Sequence, residues 1–277
     1  MGKYDYDNEW RRTAAAIYRK PTDSKVFGSV ELDVTELEEF IAEKRKQGLK
    51  ITLTHIFLLA VARALREAVP EFNCYVRRGR IVARAQVDAT LSVLIKGGTE
   101  MGAVKVRNAD QLTLGELSHW LAEELPKSRQ GKESRTMKAK ALLAAIPWPF
   151  RSWVFGLIKR ITIDWGFSLP PLGLSPDSFG SFVLTNIGSL GLDIAYPALL
   201  PSSNVAIVVV MGAASTKPAV VDGQVVPRRL ITMGAAIDHR VADGAQAGRL
   251  FHYLKQIVQD PAVLEAKPQW LEPVAAQ

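Results

Sequence analysis

The chain has 277 residues, 48% of them hydrophobic and 23% charged. These are the proportions of an ordinary globular protein and exclude a largely disordered chain. Lys plus Arg exceed Asp plus Glu by 35 − 28 = 7, which favours anionic partners such as phosphorylated cofactors or membrane surfaces. The excess is spread along the chain, so no nucleic-acid partner is expected. A single cysteine, Cys74, excludes an intrachain disulfide and fits a reducing compartment. No apolar N-terminal segment and no run of about eighteen apolar residues is present, so neither a secretory signal nor a spanning helix is expected, and a cytoplasmic location is.

Residues 8–19 read as a helix, with Asp7 or Asn8 as cap. Val26 to Val34 reads as a strand. A charged helix opens at Thr35, with Leu37, Phe40 and Ile41 on one face and Gly48 as its terminator. Residues 54–68 form a helix apolar nearly all round, hence buried, and Pro70 stops it. Cys74 sits among apolar neighbours as a small buried side chain. Residues 72–76 and 80–83 read as two short strands that flank Arg78-Gly79 as a hairpin. Val87, Ala89, Leu91, Val93 and Ile95 alternate as in a half-buried strand; a turn at Lys96-Gly97-Gly98 leads to a strand over 101–106. Thr113 and Glu116 form a capping box for a helix over 113–125.

The stretch from 131 to 178 differs in character. It is rich in tryptophan, proline and basic residues, and reads as two short amphipathic helices separated by Pro147-Trp148-Pro149. Beyond it, 179–185 is a strand ending in the turn Asn186-Ile187-Gly188. Residues 205–211 (VAIVVVM) are a central strand buried on both faces. Asp222-Gly223 is a hairpin turn. The strand 228–237 delivers His239, and Asp243 caps the helix running through Phe251, Leu254 and Ile257.

His239-Arg240-Val241-Ala242-Asp243-Gly244 carries the chemistry. An imidazole at a strand end, with an ordinary pKa of about 6.5, can serve as a general base near neutral pH. His55, His119 and His252 lie on predicted helices and read as packing or surface residues. No Cys, His, Asp or Glu cluster has zinc-ligand spacing, so no metal is expected.

The run resembles the HxxxDG signature of the chloramphenicol acetyltransferase superfamily. It is closer still to the DHRxxDG pattern of the catalytic domain of the acyltransferase (dihydrolipoamide acyltransferase) component of 2-oxoacid dehydrogenase complexes. Four further blocks resemble that family in the same order: 28–40 (GSVELDVTELEEF), 55–73 (HIFLLAVARALREAVPEFN), 182–191 (FVLTNIGSLG, against F-T-[IL]-S-N-[IL]-G-x-x-G) and 201–213 (PSSNVAIVVVMGA). The likeness spans about residues 10–265 of a single 1–277 domain, with an aromatic, basic insert at about 134–175.

The resemblance implies an α/β, two-layer fold with a mixed, mostly antiparallel sheet and helices packed against it. It implies acyl transfer between a coenzyme A thioester and a thiol, hydroxyl or amine, with His239 as base and the Thr185 hydroxyl, where most relatives carry serine, as oxyanion donor. Asn186 and Gly244 support the site. Asp243 braces its loop, and Arg12, within Trp10-Arg11-Arg12, is its partner by analogy with an N-terminal arginine in chloramphenicol acetyltransferase. The site is expected between subunits of a homotrimer or an assembly of trimers. No lipoyl or subunit-binding domain is expected within residues 1–277, so a lipoyl group is expected to serve only if another protein brings it. The family's GGxxxPV-type segment is altered to GGTEMGAVKVRNAD, which affects the substrate channel. The insert reads either as a subdomain that buries its own tryptophans or makes a subunit contact, or as a peripheral membrane contact or acyl-chain lid. The alternative to an enzyme is a non-catalytic trimeric scaffold that binds a partner.

Overall fold

The protein is described by a computed structural model over residues 24–95, 100–129, 147, 150–170, 174–199 and 203–271. The expected helix at 8–19, Arg12, the Gly97-Gly98 turn and the first of the two insert helices lie outside these residues.

The spine of the fold is a long strand, Gln224–Asp238. Numbered in chain order, the strands are β1 (Lys25–Asp33), β2 (Cys74–Arg77), β3 (Arg80–Ala83), β4 (Ala89–Ile95), β5 (Glu100–Val106), β6 (Phe182–Asn186), β7 (Ile207–Met211), β8 (Ser215–Val221) and the spine β9. The principal sheet runs β1-β9-β7-β6-β4-β5, and β8 pairs with the first half of β9. Only the β4/β6 and β6/β7 pairs are parallel; the other pairs of this sheet are antiparallel. The β8/β9 hairpin turns at Asp222 and Gly223, both at positive φ (52° and 79°), the requirement of a type I′ turn. Arg78 and Gly79 (φ 50° and 73°) do the same between β2 and β3.

Helices α1 (Thr35–Lys46), α2 (Leu53–Glu67), α3 (Leu114–Arg129) and α5 (Gly244–Gln259) form the second layer. They share one hydrophobic core with the inward residues of the sheet. Helix α2 lies at its centre: every residue from His55 to Leu65 is buried, as a helix apolar on all sides requires. The Thr113 capping box forms, with Thr113 N–H donating to Glu116 Oε2 at 2.8 Å and Glu116 N–H to Thr113 Oγ1 at 3.3 Å. The β7 strand is buried on both faces. β4 is more buried than a two-residue period predicts: Thr90, on its polar side, is covered and its hydroxyl donates to the Phe179 carbonyl at 2.7 Å. Phe72, expected to start β2, sits instead in a 3-10 turn after Pro70. In the insert, α4 (Phe150–Lys159) continues into a π-helical turn at Arg160–Asp164.

Candidate active site

β9 ends where Asp238 pairs with Lys25 at the start of β1. The chain then turns sharply through His239 to Asp243 before α5 begins. Three groups hold this turn. The Asp238 carboxylate accepts from Arg240 Nε (2.9 and 3.0 Å) and Nη2 (2.5 Å), from the Arg240 backbone N–H (3.0 Å) and from Ser24 Oγ (3.1 Å). The Asp238 carbonyl accepts from the N–H groups of Val241 and Ala242 at 3.1 and 3.3 Å. His239 N–H donates to the Ser24 carbonyl at 2.8 Å. Burial alone would push the Asp238 carboxyl up, but the hydrogen bonds and charge of Arg240, with Ser24, outweigh it and hold the pKa below the usual carboxylate value.

The imidazole itself is exposed, and its Nδ1 lies 2.9 Å from the Ala242 carbonyl. A carbonyl oxygen can only accept, so Nδ1 carries the hydrogen, and in the neutral ring Nε2 keeps its lone pair. That is the tautomer a general base needs. Asp243 is the N-cap of α5: its Oδ1 accepts from Ala245 N–H at 2.8 Å, and its own N–H donates to Gln246 Oε1 at 3.0 Å. The cap pins the far side of the histidine turn. Its expected partner Arg12 lies outside the described residues. Among the described residues nothing requires glycine at 244, since an added Cβ would meet no atom of theirs within 4 Å.

Thr185 lies on β6, opposite Ser92 of β4 and Val210 of β7. Strand alternation puts it on the same face as Val183, away from the main core that Phe182 and Leu184 enter. Its hydroxyl makes no hydrogen bond to another described residue. Next to it, Asn186 Nδ2 donates to Thr54 Oγ1 at 3.1 Å, and Asn186 Oδ1 accepts from Ser189 N–H at 3.3 Å. Asn186 therefore ties the end of β6 to the first turn of α2 and shapes the loop that follows. That loop folds back over the sheet through glycines: a Cβ at 212 would stand 1.9 Å from the Asp193 carbonyl oxygen, and one at 234 would stand 2.7 Å from that of Ala195.

Within one chain, His239 and Thr185 are far apart. Thr185 is level with Val210, and Val210 with Gly234. His239 stands five residues further along, roughly 17 Å of strand rise, and two strand spacings across, roughly 10 Å. The single chain thus keeps the two residues about 20 Å apart. It leaves Leu190, Leu192, Ile194 and Tyr196 of the fold-back loop exposed, with Phe27 packed edge-on against Tyr196.

Two residues of this end escaped the reading of the sequence. Asp238 and Ser24 fix the histidine turn; Asp238 was visible only as the first letter of the DHR pattern, and Ser24 carries no local signal. The other histidines are structural or superficial: His55 is buried with Nδ1 2.8 Å from Thr52 Oγ1, and His119 is exposed beside Glu123. Cys74 is buried, and burial pushes its thiol up to about 11, so it is no nucleophile. Among the described residues no group of three His, Cys, Asp or Glu could hold a metal.

The family described as 2-oxoacid dehydrogenases acyltransferase (catalytic domain) matches residues 9–138 and 174–266. The chain belongs to that family. The match is interrupted over 139–173, within the aromatic and basic stretch. Among curated relatives, the dihydrolipoyllysine-residue acetyltransferase component of the pyruvate dehydrogenase complex of Mycoplasma capricolum subsp. capricolum is 23% identical over 261 residues, covering 92% of this chain and 50% of that protein. Its counterpart in Haemophilus influenzae is 27% identical over 238 residues, covering 82% and 34%. The chain spans half or less of the length of such relatives.

Among solved structures, a probable dihydrolipoamide acetyltransferase from Listeria monocytogenes 4b F2365 shares the fold, with a TM-score of 0.64 at 19% identity over 93% of this chain and 94% of that one. So does the Azotobacter vinelandii dihydrolipoamide acetyltransferase, with a TM-score of 0.62 at 22% identity over 88% and 84%. In that enzyme the catalytic mechanism has been investigated through a serine, a histidine and an asparagine four residues beyond the histidine. The two-layer acyltransferase architecture expected of the sequence is the one observed.

Proposed function

We propose that this acyltransferase-family domain moves an acyl group between a coenzyme A thioester and a thiol, with the site formed where two subunits meet. The observation that carries this is the pairing of a fixed Nδ1–H tautomer at His239 with an uncommitted hydroxyl at Thr185, about 20 Å away in the same chain. Residues that must share one reacting carbonyl cannot do so from that separation. A neighbouring subunit that brings its β6 against this chain's β9 terminus completes the site. The exposed apolar loop 190–196 beside β6 supports such an interface, and a trimer or an assembly of trimers is the arrangement it fits.

In this reading His239 Nε2 removes the proton of the attacking thiol, which is either coenzyme A or a dihydrolipoyl group. The thiolate adds to the thioester carbonyl carbon. The oxygen gains negative charge and accepts a hydrogen bond from Thr185 Oγ1 of the neighbouring subunit. Collapse re-forms the carbonyl and expels the other sulfur, which takes the proton back from Nε2. His239 is neutral at the start and the end, so one imidazole serves both directions. Asp243 acts through the helix cap, and Asp238 and Arg240 act through the turn; none of the three moves a proton. The spacing of histidine and asparagine in the Azotobacter enzyme matches that of His239 and Asp243. Threonine keeps the hydroxyl of the family serine but adds a methyl that narrows its rotamer choice.

The test is transfer from a panel of acyl-coenzyme A thioesters to dihydrolipoamide and simple thiols. His239→Ala is expected to lower kcat by about 10²–10⁴-fold. An assembled, folded wild-type protein that transfers no acyl group from any member of the panel would leave the scaffold reading in its place.

A further inference from the structure

The described part of the insert carries a surface the acyl-transfer reading does not use. Helix α4 turns Val154 and Ile158 inward and anchors its π-helical turn with buried Thr162 and Ile163. Its outward side is nevertheless apolar: Phe150 and Trp153 are 62% and 69% exposed, and Phe155 and Leu157 are exposed with them. Beyond the turn, Trp165 and Phe167 are exposed as well. So many exposed aromatic and aliphatic side chains on one short segment mark a contact.

Its charge is one-sided. The β2/β3 hairpin packs against the same segment: Arg77 Nε donates to the Trp165 carbonyl at 3.2 Å, Arg78 N–H donates to the Asp164 carbonyl at 3.1 Å, and the Arg78 guanidinium lies 5.4 Å from the Phe167 ring centre. Arg80 is exposed on the hairpin, Lys159 ends α4 and Arg160 opens the π-helical turn. Asp164 is the one carboxylate in residues 150–170. The patch also lies at the His239 end of the sheet. The Ile163 carbonyl accepts from Asn204 Nδ2 at 3.3 Å, and two residues on, the Ala206 carbonyl accepts from Asp238 N–H at 2.9 Å.

We propose that this aromatic and cationic face seats on an anionic membrane surface, with the rings at headgroup level and the arginines on lipid phosphates. Trp and Phe over an apolar helix face, with basic residues beside them, are the composition of an interfacial helix. Among the described residues no helix is long and apolar enough to cross a membrane, so the contact is peripheral. Charge decides among occupants. A second copy laid face to face would bring like charges together. The chain's own segment 131–149 holds Lys132, Arg135, Lys138 and Lys140 against Glu133, so it repeats the sign instead of opposing it. Leu157 and Ile81, both exposed, offer nothing to stacked bases but partition readily into lipid.

The experiment is flotation of the whole assembled protein with phosphatidylcholine vesicles, with and without phosphatidylglycerol, at low and high salt. It is scored without turnover, so its outcome is independent of the acyl-transfer reading. Binding is expected only with the anionic lipid and is expected to weaken as salt rises. Arg80→Gln and Arg160→Gln should each lower partitioning about fivefold. Trp153→Ser should lower it at least about tenfold. All three side chains are exposed, and circular dichroism checks that the variants stay folded. His239→Ala should float like the wild type. No flotation, or flotation equal on neutral vesicles or unchanged in these variants, overturns the proposal. Lipid-free self-association abolished by Trp153→Ser would assign the face to a second copy, and preferential binding of a single-stranded oligonucleotide would assign it to nucleic acid; either result also overturns it.

Discussion

Complementation between two inactive chains tests the shared site directly. Removing the base in one variant (His239→Ala) and the oxyanion donor in another (Thr185→Val) should leave each homogeneous assembly nearly inactive. The losses are about 10²–10⁴-fold for the base and about 10²–10³-fold for the donor. The register Thr185–Val210–Gly234 keeps the two groups about 20 Å apart in one chain, so each site must draw them from different chains. In a cyclic assembly mixed one to one, a site is intact when its histidine comes from the Thr185→Val chain and its threonine from the His239→Ala chain. In an unselected mixture each condition holds half the time, so about a quarter of the sites return; in a cyclic trimer selected to hold both chains one of its three interfaces is intact, so about a third of the wild-type kcat should return. The assay is co-refolding or co-expression of two differently tagged variants, tandem purification and a thioester-exchange rate. Recovery near the level of the single variants, in assemblies shown to contain both chains, would refute the shared-site geometry.

Asp238→Asn weakens the fork that holds Arg240 and the histidine turn; kcat should fall by about 10²-fold with little change in folding temperature, as expected when a base is displaced by about an ångström. Asp243→Ala removes the α5 cap and should lower stability by about 1 kcal/mol in denaturant titration; an unchanged midpoint would show that the cap is redundant. Gly212→Ala places a methyl against the Asp193 carbonyl and should destabilise by about 1–3 kcal/mol in thermal melts, with assembly impaired because the 190–196 loop is displaced. Burial first, then the charge of Arg45, lowers the His55 pKa from 6.5 to about 4. Between these values the unfolded chain binds the extra proton, so this contribution is complete above pH 6.5 and is lost as pH falls towards 4, by about 2–3 kcal/mol. A His55→Gln variant should lack that portion of the acid dependence, and an identical stability profile for the two proteins would contradict it.

The order of elements could be read from local chemistry. The all-round apolar helix containing His55 to Leu65, the Thr113 box and the Asp222-Gly223 turn each depend on neighbours a few residues away, and each appears where the pattern put it. So does the cap at Asp243. These features obey the short-range sterics and hydrogen bonding of the backbone, which a linear pattern records.

The sequence could not show that Ser24, 214 positions from Asp238, would hold the histidine turn, nor that Thr90 would be covered on its polar side by the chain around Phe179. Nor could it show that strand register keeps Thr185 away from His239 within one subunit, or that α4 would present Trp153 outward instead of burying it. Each depends on contacts between segments far apart in the chain, where the gain from burial and pairing is decided by the packing of whole layers and no local preference points to the partner.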